Sequence, residues 1–476
     1  MIELDFATAA NIMHGDLRGG RAEGARFRGV SIDSRTAHQG ELFFAIKGAA
    51  HDGHRFVDSA LAAGAAGAVV SDPLTTSDRP APQLLVTDTH QALIELARWR
   101  RTQLQPHTIG VTGSTGKTTV KEMIGFLLRR AGQATFVSAG NLNNLYGLPL
   151  SLLRMPDEQD TAVFELGISV PGEMSALAPI LQPAVGVITN ISATHLETLG
   201  SVAGVRAEKL SLLDHLQPNG AAVVNAGDSE LVAGARQRSP LVITFSADPS
   251  VSADVAARDV TLTADGRPHF TLNGRNVTLR LFGAHQAENA ACAVAACQAL
   301  GVDVDPQTLS EFTLTGAALR GETVERHGVT FILDCYNANP ASMNAGLASF
   351  AAYHTTGGKI LVLGDMLELG ATEEQEHRNI GRAVAQRFSQ THGPAALTGV
   401  ITVGALAALI AEEYEKAAAP ATAISSHENA ASAAAALREI ATPGAIVYLK
   451  ASRGMALERI VEEFSRITDR INEESA

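Results

Sequence analysis

The chain has 476 residues, of which 46% are hydrophobic, 18% are charged and only 5% are aromatic. This length exceeds what one hydrophobic core usually holds, so we predict about three domains. The formal net charge is −13 and there is no long basic run, which disfavours nucleic acid as a partner.

Residues 1–85 have the pattern of a small α/β domain. Short apolar strands are predicted at 42–46 and 68–70, with a helix near 57–63 between them. The Pro-rich stretch at 79–83 is typical of a domain boundary. We therefore place the first domain at residues 1–85.

Residues 86–317 have the pattern of a mostly parallel sheet covered by helices. The predicted strands lie at 109–112, 161–164, 185–189, 221–224 and 241–245. A few antiparallel strands are expected within 251–282, followed by a helix at 287–300. This segment is the predicted second domain.

The same rhythm starts again in residues 318–476. The predicted strands lie at 329–333, 359–363, 400–403 and 445–449, and the Ala-rich stretch at 430–436 is predicted to be helical. This third domain is Rossmann-like, although it lacks a G-x-G-x-x-G fingerprint. The expected fold class is therefore α/β in three domains.

A glycine-rich phosphate loop (P-loop) follows the strand at 109–112. Its residues are Gly113, Ser114, Thr115, Gly116, Lys117, Thr118 and Thr119. Backbone N–H groups in such a loop bind phosphate, Lys117 reaches the outer phosphates, and Thr118 offers a hydroxyl to Mg²⁺. Position 111 is Val, so the motif is the shorter form T-G-x-x-G-K-T-T. The loop predicts an ATP site.

Three further polar residues of the second domain each admit more than one interpretation. Glu165 follows a strand, where a carboxylate can bind Mg²⁺ together with Thr118 or form a surface ion pair; the phosphate loop favours the metal. From the residues alone, His195 is an ordinary polar side chain and Lys209 a solvated helix lysine.

The cysteines and the N-terminus indicate in which cellular compartment the protein works. Cys292, Cys297 and Cys335 follow neither metal-ligand nor disulfide spacing, which fits a reducing environment. The N-terminus lacks the features of a signal peptide, and no apolar run reaches membrane-spanning length. We expect a cytoplasmic protein that is not inserted in a membrane.

Together with the phosphate loop, a series of motifs resembles the Mur ligases, which build the peptide stem of bacterial cell-wall precursors. In chain order these are DSR at 33–35, GELFFAIKG at 40–48, DGH at 52–54, GNLNN at 140–144, FELG at 164–167, NISATHL at 190–196, GAHQAEN at 283–289, DCYNANP at 334–340, GDMLELG at 364–370 and KASR at 450–453. The resemblance spans nearly the whole chain and rests on order and spacing.

The resemblance implies two Mg²⁺ ions and a modified lysine. Thr118 and Glu165 would hold one ion, and His195 and Lys209 the other. Lys209 would carry CO₂ as a carbamate, which turns a cation into an anionic oxygen ligand. Lys117, Lys209 and His195 are then the expected catalytic residues.

The resemblance also implies which residues bind the nucleotide outside the loop. These are His285, Asn289, Arg320 and Asp334. The family usually has His-Asn-x-x-Asn at the first pair, and here Gln286 takes the second position. This departure puts the contact with the base in question.

In its substrate contacts the chain resembles the members that add D-alanyl-D-alanine to UDP-N-acetylmuramoyl-tripeptide. The turn at 336–340 has their form, and the Asp-Asn-Pro-Arg segment of diaminopimelate-adding members is absent. Asn339 can alternatively stabilise the turn, and Ala451 replaces the more usual Gly. The expected substrate residues are Ser34, Arg35, Lys47, Asp52, His54, Asn141, Asn143, Asn144, Tyr336, Asn337, Asn339, Lys450 and Arg453.

This resemblance implies an ATP-dependent ligase of peptidoglycan synthesis. The first domain would bind the UDP-sugar, and the third would bind the dipeptide and close on ATP. The tripeptide carboxylate would become an acyl phosphate, which the dipeptide amine attacks, releasing ADP and phosphate. We expect a monomer.

Two alternatives remain open from the sequence. One is another ligase of the superfamily, either a sibling Mur ligase or a folylpolyglutamate synthase; the DSR segment and the turn at 336–340 disfavour folate. The other is a P-loop ATPase that acts as a conformational switch, which would leave Glu165, His195 and Lys209 without a role.

Overall fold

The computed structural model describes residues 1–19, 24–48, 51–73, 81–314, 319–355, 357–388, 397–416 and 422–474. Over these ranges the chain forms three α/β units, here called N-terminal, central and C-terminal, each with its own main sheet. The predicted α/β class is confirmed. The Pro-rich boundary is described only from residue 81, and the predicted boundary at 317–318 lies outside the described residues. The domain limits therefore stay predictions.

The N-terminal unit contains a five-stranded sheet in the order β2-β7-β6-β5-β4, in which only β2 is antiparallel to its neighbour, and a separate antiparallel pair of β1 with β3. Its strands are β1 Glu3–Asp5, β2 Asp16–Arg18, β3 Arg26–Arg28, β4 Val30–Ser31, β5 Leu42–Phe44, β6 Gly67–Val70 and β7 Gln83–Leu85. Its helices are α1 Phe6–Ile12 and α2 Val57–Ala62.

One long helix, α3 Thr89–Leu104, leads from this unit into the central one. It begins after Asp88, whose carboxylate accepts the N–H groups of His90 and Gln91, the usual role of an N-cap aspartate. Its apolar face packs into a core to which both units contribute residues. A backbone hydrogen bond from the Ile2 N–H to Leu153 O, 2.9 Å long, also joins the two units.

The central unit has a nine-stranded sheet in the order β16-β15-β14-β13-β12-β11-β8-β10-β9, antiparallel only at β14-β15-β16. Its strands are β8 His107–Thr112, β9 Thr135–Val137, β10 Thr161–Glu165, β11 Val185–Ile188, β12 Ala221–Asn225, β13 Leu241–Ser246, β14 Val255–Leu262, β15 Pro268–Leu272 and β16 Arg275–Thr278. Burial on both faces explains why the inner strands are continuous apolar runs. The predicted parallel sheet and antiparallel extension are confirmed.

Seven helices cover this sheet within the described residues. They are α4 Lys117–Arg130, α5 Gly147–Arg154, α6 Glu173–Leu181, α7 Leu196–Leu199, α8 Val202–Leu210, α9 Ser229–Arg236 and α10 Gln286–Ala299. Helix α10 is almost entirely buried, and its alanines allow it to lie close against the sheet and α4.

The C-terminal unit has a six-stranded sheet in the order β17-β18-β22-β19-β20-β21, parallel except for β17. Its strands are β17 Glu322–Arg326, β18 Val329–Asp334, β19 Lys359–Gly364, β20 Leu397–Val403, β21 Ala423–His427 and β22 Ile446–Lys450. Its helices are α11 Pro340–Ala352, α12 Glu373–Phe388, α13 Ala408–Glu415, α14 Ala430–Ile440 and α15 Arg459–Glu474.

The carboxyl ends of strands from both large sheets carry polar residues. Thr112 and Glu165 end β8 and β10, and Asp334 and Lys450 end β18 and β22. Ligands of parallel α/β sheets bind at these ends. In the part of the chain that the structure describes, no helix has the length and apolar character needed to cross a membrane.

Candidate active site

A cavity of about 590 Å³ is lined by both the central and the C-terminal units. Eighteen of the predicted site residues lie on its wall: Ser114, Thr115, Gly116, Lys117, Thr118, Thr119, Asn143, Asn144, Glu165, His195, His285, Asn289, Arg320, Asp334, Tyr336, Asn337, Asn339 and Lys450. The structure therefore brings together most of the residues expected to bind nucleotide, metal and dipeptide.

The phosphate loop passes from β8 into α4 through left-handed glycines. Gly116 has φ +78°, and a Cβ atom at Gly113 would lie 1.8 Å from Thr189 Oγ1, so neither position accepts a larger residue without strain. Lys117 Nζ donates to Gly113 O at 2.9 Å, which folds the lysine over the loop. The loop has the shape that its sequence predicts.

A second segment braces this loop from β11. Asn190 accepts the Ser114 N–H on its carbonyl and the Thr115 N–H on Oδ1, both at 3.0 Å, and Ser192 donates its N–H to Ser114 Oγ at 2.9 Å. These contacts hold the loop open at the start of α4, where its remaining N–H groups can meet a phosphate.

Thr118 and Glu165 lie in direct contact. Thr118 Oγ1 donates to Glu165 Oε2 at 2.7 Å, and Asn143 Nδ2 donates to Oε1 at 2.8 Å. Glu165 is only 2% exposed, so it is not the surface ion pair considered as an alternative. A hydroxyl and a carboxylate beside a phosphate loop are the hard oxygen donors that suit Mg²⁺. The predicted first metal site fits these residues.

Lys209 is buried, with 1% exposure, and the solvated lysine expected from the residues alone is wrong. It lies one residue before the end of α8, and its Nζ makes none of the hydrogen bonds in the described part of the chain. Burial lowers the pKa of Lys209 well below its usual value, and the nearby charge of Lys117 lowers it further. Burial also lowers the pKa of Lys117, which Glu165 partly opposes.

His195 contacts a residue that the sequence did not suggest. Its Nδ1 lies 2.6 Å from Oε2 of Glu368, which belongs to the C-terminal unit. Burial lowers the pKa of His195, although the Glu368 carboxylate acts in the opposite direction, and the charges of Lys117 and Lys209 lower it. The two lysines and His195 are therefore close enough to influence one another.

The start of α10 forms a chain of amides behind the phosphate loop. Asn289 Nδ2 donates to Gln286 Oε1 at 2.8 Å, and Gln286 Nε2 lies 3.1 Å from His285 Nε2. The longer amide of Gln286 thus links the two predicted base contacts. His285 is exposed at the cavity wall, but desolvation by the surrounding chain lowers its pKa to about 4, so its ring is neutral near pH 7.

Arg320 stacks on an aromatic ring at the entrance to the C-terminal unit. Its Cζ lies 3.8 Å from the ring centroid of Tyr336, and its Nε is buried without a hydrogen-bond partner. The guanidinium charge also lowers the pKa of Lys117. Tyr336 therefore lines the cavity and also orients Arg320 toward its phosphate side.

A buried ion pair lies at the carboxyl ends of β18 and β22. Lys450 Nζ donates to Asp334 Oδ2 at 2.7 Å, and the Tyr448 hydroxyl donates to the same oxygen at 2.8 Å. Burial would raise the pKa of Asp334, but the Lys450 charge and these two hydrogen bonds hold it below its usual value. Lys450 also donates to Asn337 O at 3.3 Å, which fixes the turn.

Asn339 serves both of the roles considered for it. Its Oδ1 accepts the Ser342 N–H at 2.9 Å and so caps α11, which is the turn-stabilising role. Its Nδ2 is buried without a hydrogen-bond partner, and the residue lines the cavity. A donor remains free to meet a ligand.

Nine predicted residues do not line this cavity: Gly113, Asn141, Lys209, Arg453, Ser34, Arg35, Lys47, Asp52 and His54. Three of the N-terminal ones form local pairs. Arg35 binds Asp33 at 2.6 Å, and His54 Nδ1 lies 2.7 Å from Asp52 Oδ1. Their predicted contacts with the UDP-sugar stay predictions.

Comparison with known proteins agrees with this geometry. Models described as Mur ligase family catalytic domain, Mur ligase middle domain and Mur ligase glutamate ligase domain match residues 26–101, 111–297 and 319–453. A UDP-N-acetylmuramoyl-tripeptide–D-alanyl-D-alanine ligase of Bacillus subtilis is 34% identical, over 97% of this chain and 98% of that protein. The chain belongs to the Mur ligase family.

Solved structures agree with this assignment. The crystal structure of MurF from Acinetobacter baumannii is 30% identical to this Mur ligase, with a TM-score of 0.85 over 98% of this chain and 99% of that one. MurF from Thermotoga maritima in complex with ADP is 27% identical, with a TM-score of 0.79 over 93% and 98% of the two chains.

Three residues of the Mur ligase site were not predicted as site residues. Asn190 and Glu368 lie inside motifs that were recognised, NISATHL and GDMLELG, yet neither was assigned a role. Tyr448 lies in the strand predicted at 445–449 and was assigned no site role. A polar residue two positions before Lys450 on the same strand face was the one signal that pointed to it.

Proposed function

We propose that this Mur ligase joins D-alanyl-D-alanine to UDP-N-acetylmuramoyl-tripeptide, with ATP converted to ADP and phosphate. The observation that carries the proposal is the shared cavity, in which the phosphate loop of the central unit faces the turn at 336–340 of the C-terminal unit. Relatives named for this reaction support it over most of their length. The substrates are then ATP, the UDP-linked tripeptide and the dipeptide.

The first step is attack of the tripeptide carboxylate on the γ-phosphoryl group. The loop N–H groups orient the phosphates, and Lys117 and Arg320 supply positive charge where charge accumulates in the transition state. Mg²⁺ held by Thr118 and Glu165 would add its own charge to these phosphate oxygens.

The second step is attack of the dipeptide amine on the acyl carbon, after which phosphate leaves. The dipeptide carries a carboxylate at its other end, which needs donors that are fixed in place. Asn339 Nδ2 and the Ala341 N–H at the start of α11 are without partners among the described residues, and Lys450 is held nearby by Asp334. We assign these groups to the dipeptide carboxylate.

We further propose that Lys209 is carbamylated in the active enzyme. A neutral amine adds to CO₂, a nitrogen–carbon bond forms, and the nitrogen loses a proton to solvent, which leaves an anionic carbamate. The burial that lowers the pKa of Lys209 favours the neutral amine this reaction requires. The carbamate oxygens and His195 would then hold a second Mg²⁺, for which two nitrogen groups alone are poor ligands.

Phosphate release with UDP-N-acetylmuramoyl-tripeptide tests the acceptor. D-Alanyl-D-alanine should drive turnover, whereas glutamate, free diaminopimelate and single D-alanine should not. Equal or faster turnover with free diaminopimelate would assign the enzyme to the preceding step of stem synthesis. ATP turnover without any acceptor would instead indicate a P-loop switch.

The carbamate has its own test, which needs no turnover. ¹³CO₂ added to the wild-type enzyme should give a carbamate carbon signal that is absent from Lys209→Ala. An identical spectrum for the two proteins would refute the modification.

We place the enzyme in the cytoplasm as a monomer.

A further inference from the structure

A second lysine of α4 is buried and has no part in the mechanism described above. Lys121 lies one helical turn after Lys117, so the two side chains start from the same face of the helix. The Lys121 side chain is fully buried. A buried charge is costly unless it is paired and hydrogen-bonded, so the partners of Lys121 indicate its role.

Two of these partners lie in the described segment 138–146, which is neither helix nor strand. Lys121 Nζ donates to Ser138 O at 2.5 Å and to Gly140 O at 3.2 Å, and it lies 3.1 Å from Glu122 Oε1. An ammonium group has three N–H donors, and three oxygens surround it here. Lys121 therefore ties the start of this segment to the helix that follows the phosphate loop.

The same segment continues to Glu165, the candidate metal ligand. Asn143 Nδ2 donates to Glu165 Oε1 at 2.8 Å, and the Gly167 N–H donates to Asn143 O at 2.9 Å. A Cβ atom added to Gly167 would lie 2.7 Å from Asn143 Nδ2, so the amide is closely packed. The Glu165 N–H also donates to Ser138 Oγ at 3.4 Å. Both ends of the segment that Lys121 anchors therefore contact Glu165.

We propose that Lys121 is a positioning residue for the nucleotide site. By fixing the segment 138–143, it keeps the Asn143 amide on Glu165 and so keeps Glu165 beside Thr118. Lys121 is not part of the cavity wall, so it acts through this segment and not on a ligand. The residues at 139–141 are exposed and belong to no sheet or helix, which makes a side-chain anchor necessary to hold them.

The inference rests on the proposed function at one point, the binding of Mg²⁺ by Thr118 and Glu165. Residues that hold a metal ligand in place affect metal affinity without touching the ion. Loss of Lys121 should therefore weaken the contribution of Mg²⁺ to nucleotide binding more than it weakens the binding of the nucleotide itself.

Four variants test the inference. Lys121→Met removes the donors but keeps an unbranched apolar stem, and Lys121→Gln is a milder change that keeps an amide donor on a shorter stem. Asn143→Ala removes the amide through which Lys121 is proposed to act. Lys359→Met is the matched control, because Lys359 is also buried and donates to Ala351 O at 2.6 Å, but it lies in the C-terminal unit and off the cavity wall.

Two measurements are made on each full-length variant. The first is calorimetric titration with β,γ-imido-ATP, an analogue that is not hydrolysed, in EDTA and in saturating Mg²⁺. The ratio of the two Kd values is the gain in affinity from Mg²⁺. The second is hydrogen exchange, followed by mass spectrometry, of peptides from 138–146 in metal-free protein. Neither measurement uses the tripeptide or the dipeptide, so failure of the inference is distinguishable from a wrong assignment of the acceptor.

In Lys121→Met we expect the gain from Mg²⁺ to fall by about tenfold or more, with a smaller change in the Kd measured in EDTA. Exchange should rise in 138–146 and stay unchanged in peptides from β8. Lys121→Gln should lose part of the gain, because its shorter stem cannot reach both carbonyls, and Lys359→Met should match the wild type. Lys121→Met combined with Asn143→Ala should lose no more of the gain than the stronger single variant.

Three results would overturn the inference. The first is a wild-type gain from Mg²⁺ in every folded Lys121 variant. The second is an equal loss in Lys359→Met, which would mark a general effect of losing a buried lysine. The third is additive losses in the double variant, because residues that act through one contact cannot lose it twice.

Discussion

Breaking the Asp334–Lys450 pair should destabilise the C-terminal unit more than either residue's packing would suggest. Lys450→Met keeps the length and apolar stem of the side chain but removes its charge. Asp334 then remains as a carboxylate with 22% exposure, supported only by the Tyr448 hydroxyl. Removing one member of a buried pair typically costs about 3–5 kcal/mol, and the remaining hydrogen bond and partial exposure place this site near about 3 kcal/mol.

The double variant separates the pair from the packing. The double variant Asp334→Asn with Lys450→Met leaves no buried charge, so its free energy of unfolding should fall by only about 1 kcal/mol. The sum of the losses in the two single variants should exceed this value by more than about 2 kcal/mol. Hydrogen exchange of peptides from β18 and β22, followed by mass spectrometry, measures the local free energy of opening at the two strands that carry the pair.

The pH dependence gives an internal check. In the wild type the Lys450 charge holds the pKa of Asp334 low, and without it burial raises that pKa. A carboxyl group whose native pKa is raised binds protons more readily when folded, so the loss in Lys450→Met should grow as the pH rises toward that pKa, reach its full size above it, and shrink in acid. Additive single effects, or a loss below about 1 kcal/mol near neutral pH, would refute the reasoning.

Three further changes have expected outcomes. Lys117→Ala should lower kcat by about 100-fold or more because it removes a charge from the transferring phosphoryl group, and retention of half of kcat in a steady-state assay would contradict its placement. Lys209→Ala should lose most activity but still fold and bind nucleotide, with partial recovery in added formate or acetate; wild-type activity would exclude the carbamate. Desolvation lowers the native pKa of His285 to about 4, so the unfolded state takes up a proton first and stability to urea should fall as pH drops from about 6.5 toward that value; because the residue is exposed at the cavity wall, solvent screening should keep this loss small. His285→Gln should lack this loss and the control His51→Gln should keep it, whereas equal pH dependence in all three proteins would contradict the lowered pKa of His285.

The fold was predictable because its signals are local. Continuous apolar strands separated by helices give parallel sheets, and Gly116 and Lys117 locate the phosphate loop and the start of α4 from a few adjacent residues. The antiparallel extension at β14–β16 was visible for the same reason. Each prediction needed only a window shorter than one strand–helix unit.

The contacts within the site were less predictable because they join distant segments. The burial of Lys209 depends on how α8 packs against neighbouring helices, and the flanking residues gave no strong pattern to predict it. Glu368 meets His195 only after two units have folded and docked. Tyr448 supports Asp334 across neighbouring strands whose pairing is set by the sheet order. These contacts join residues that are far apart in the sequence, so no local sequence pattern predicts them.

The division of the cavity between two units bears on how an acyl phosphate can survive. The groups for phosphoryl transfer lie on the central unit, and the groups assigned to the attacking dipeptide lie on the C-terminal one. If either unit acted alone, the activated carboxylate would face water before an amine arrived. Arg320, at the start of the C-terminal unit, influences Lys117 across the cavity, and Glu368 of the same unit lies 2.6 Å from His195 Nδ1. Both interactions make the phosphate side complete only when the dipeptide side is present, which favours a reaction in which the two units exclude water together.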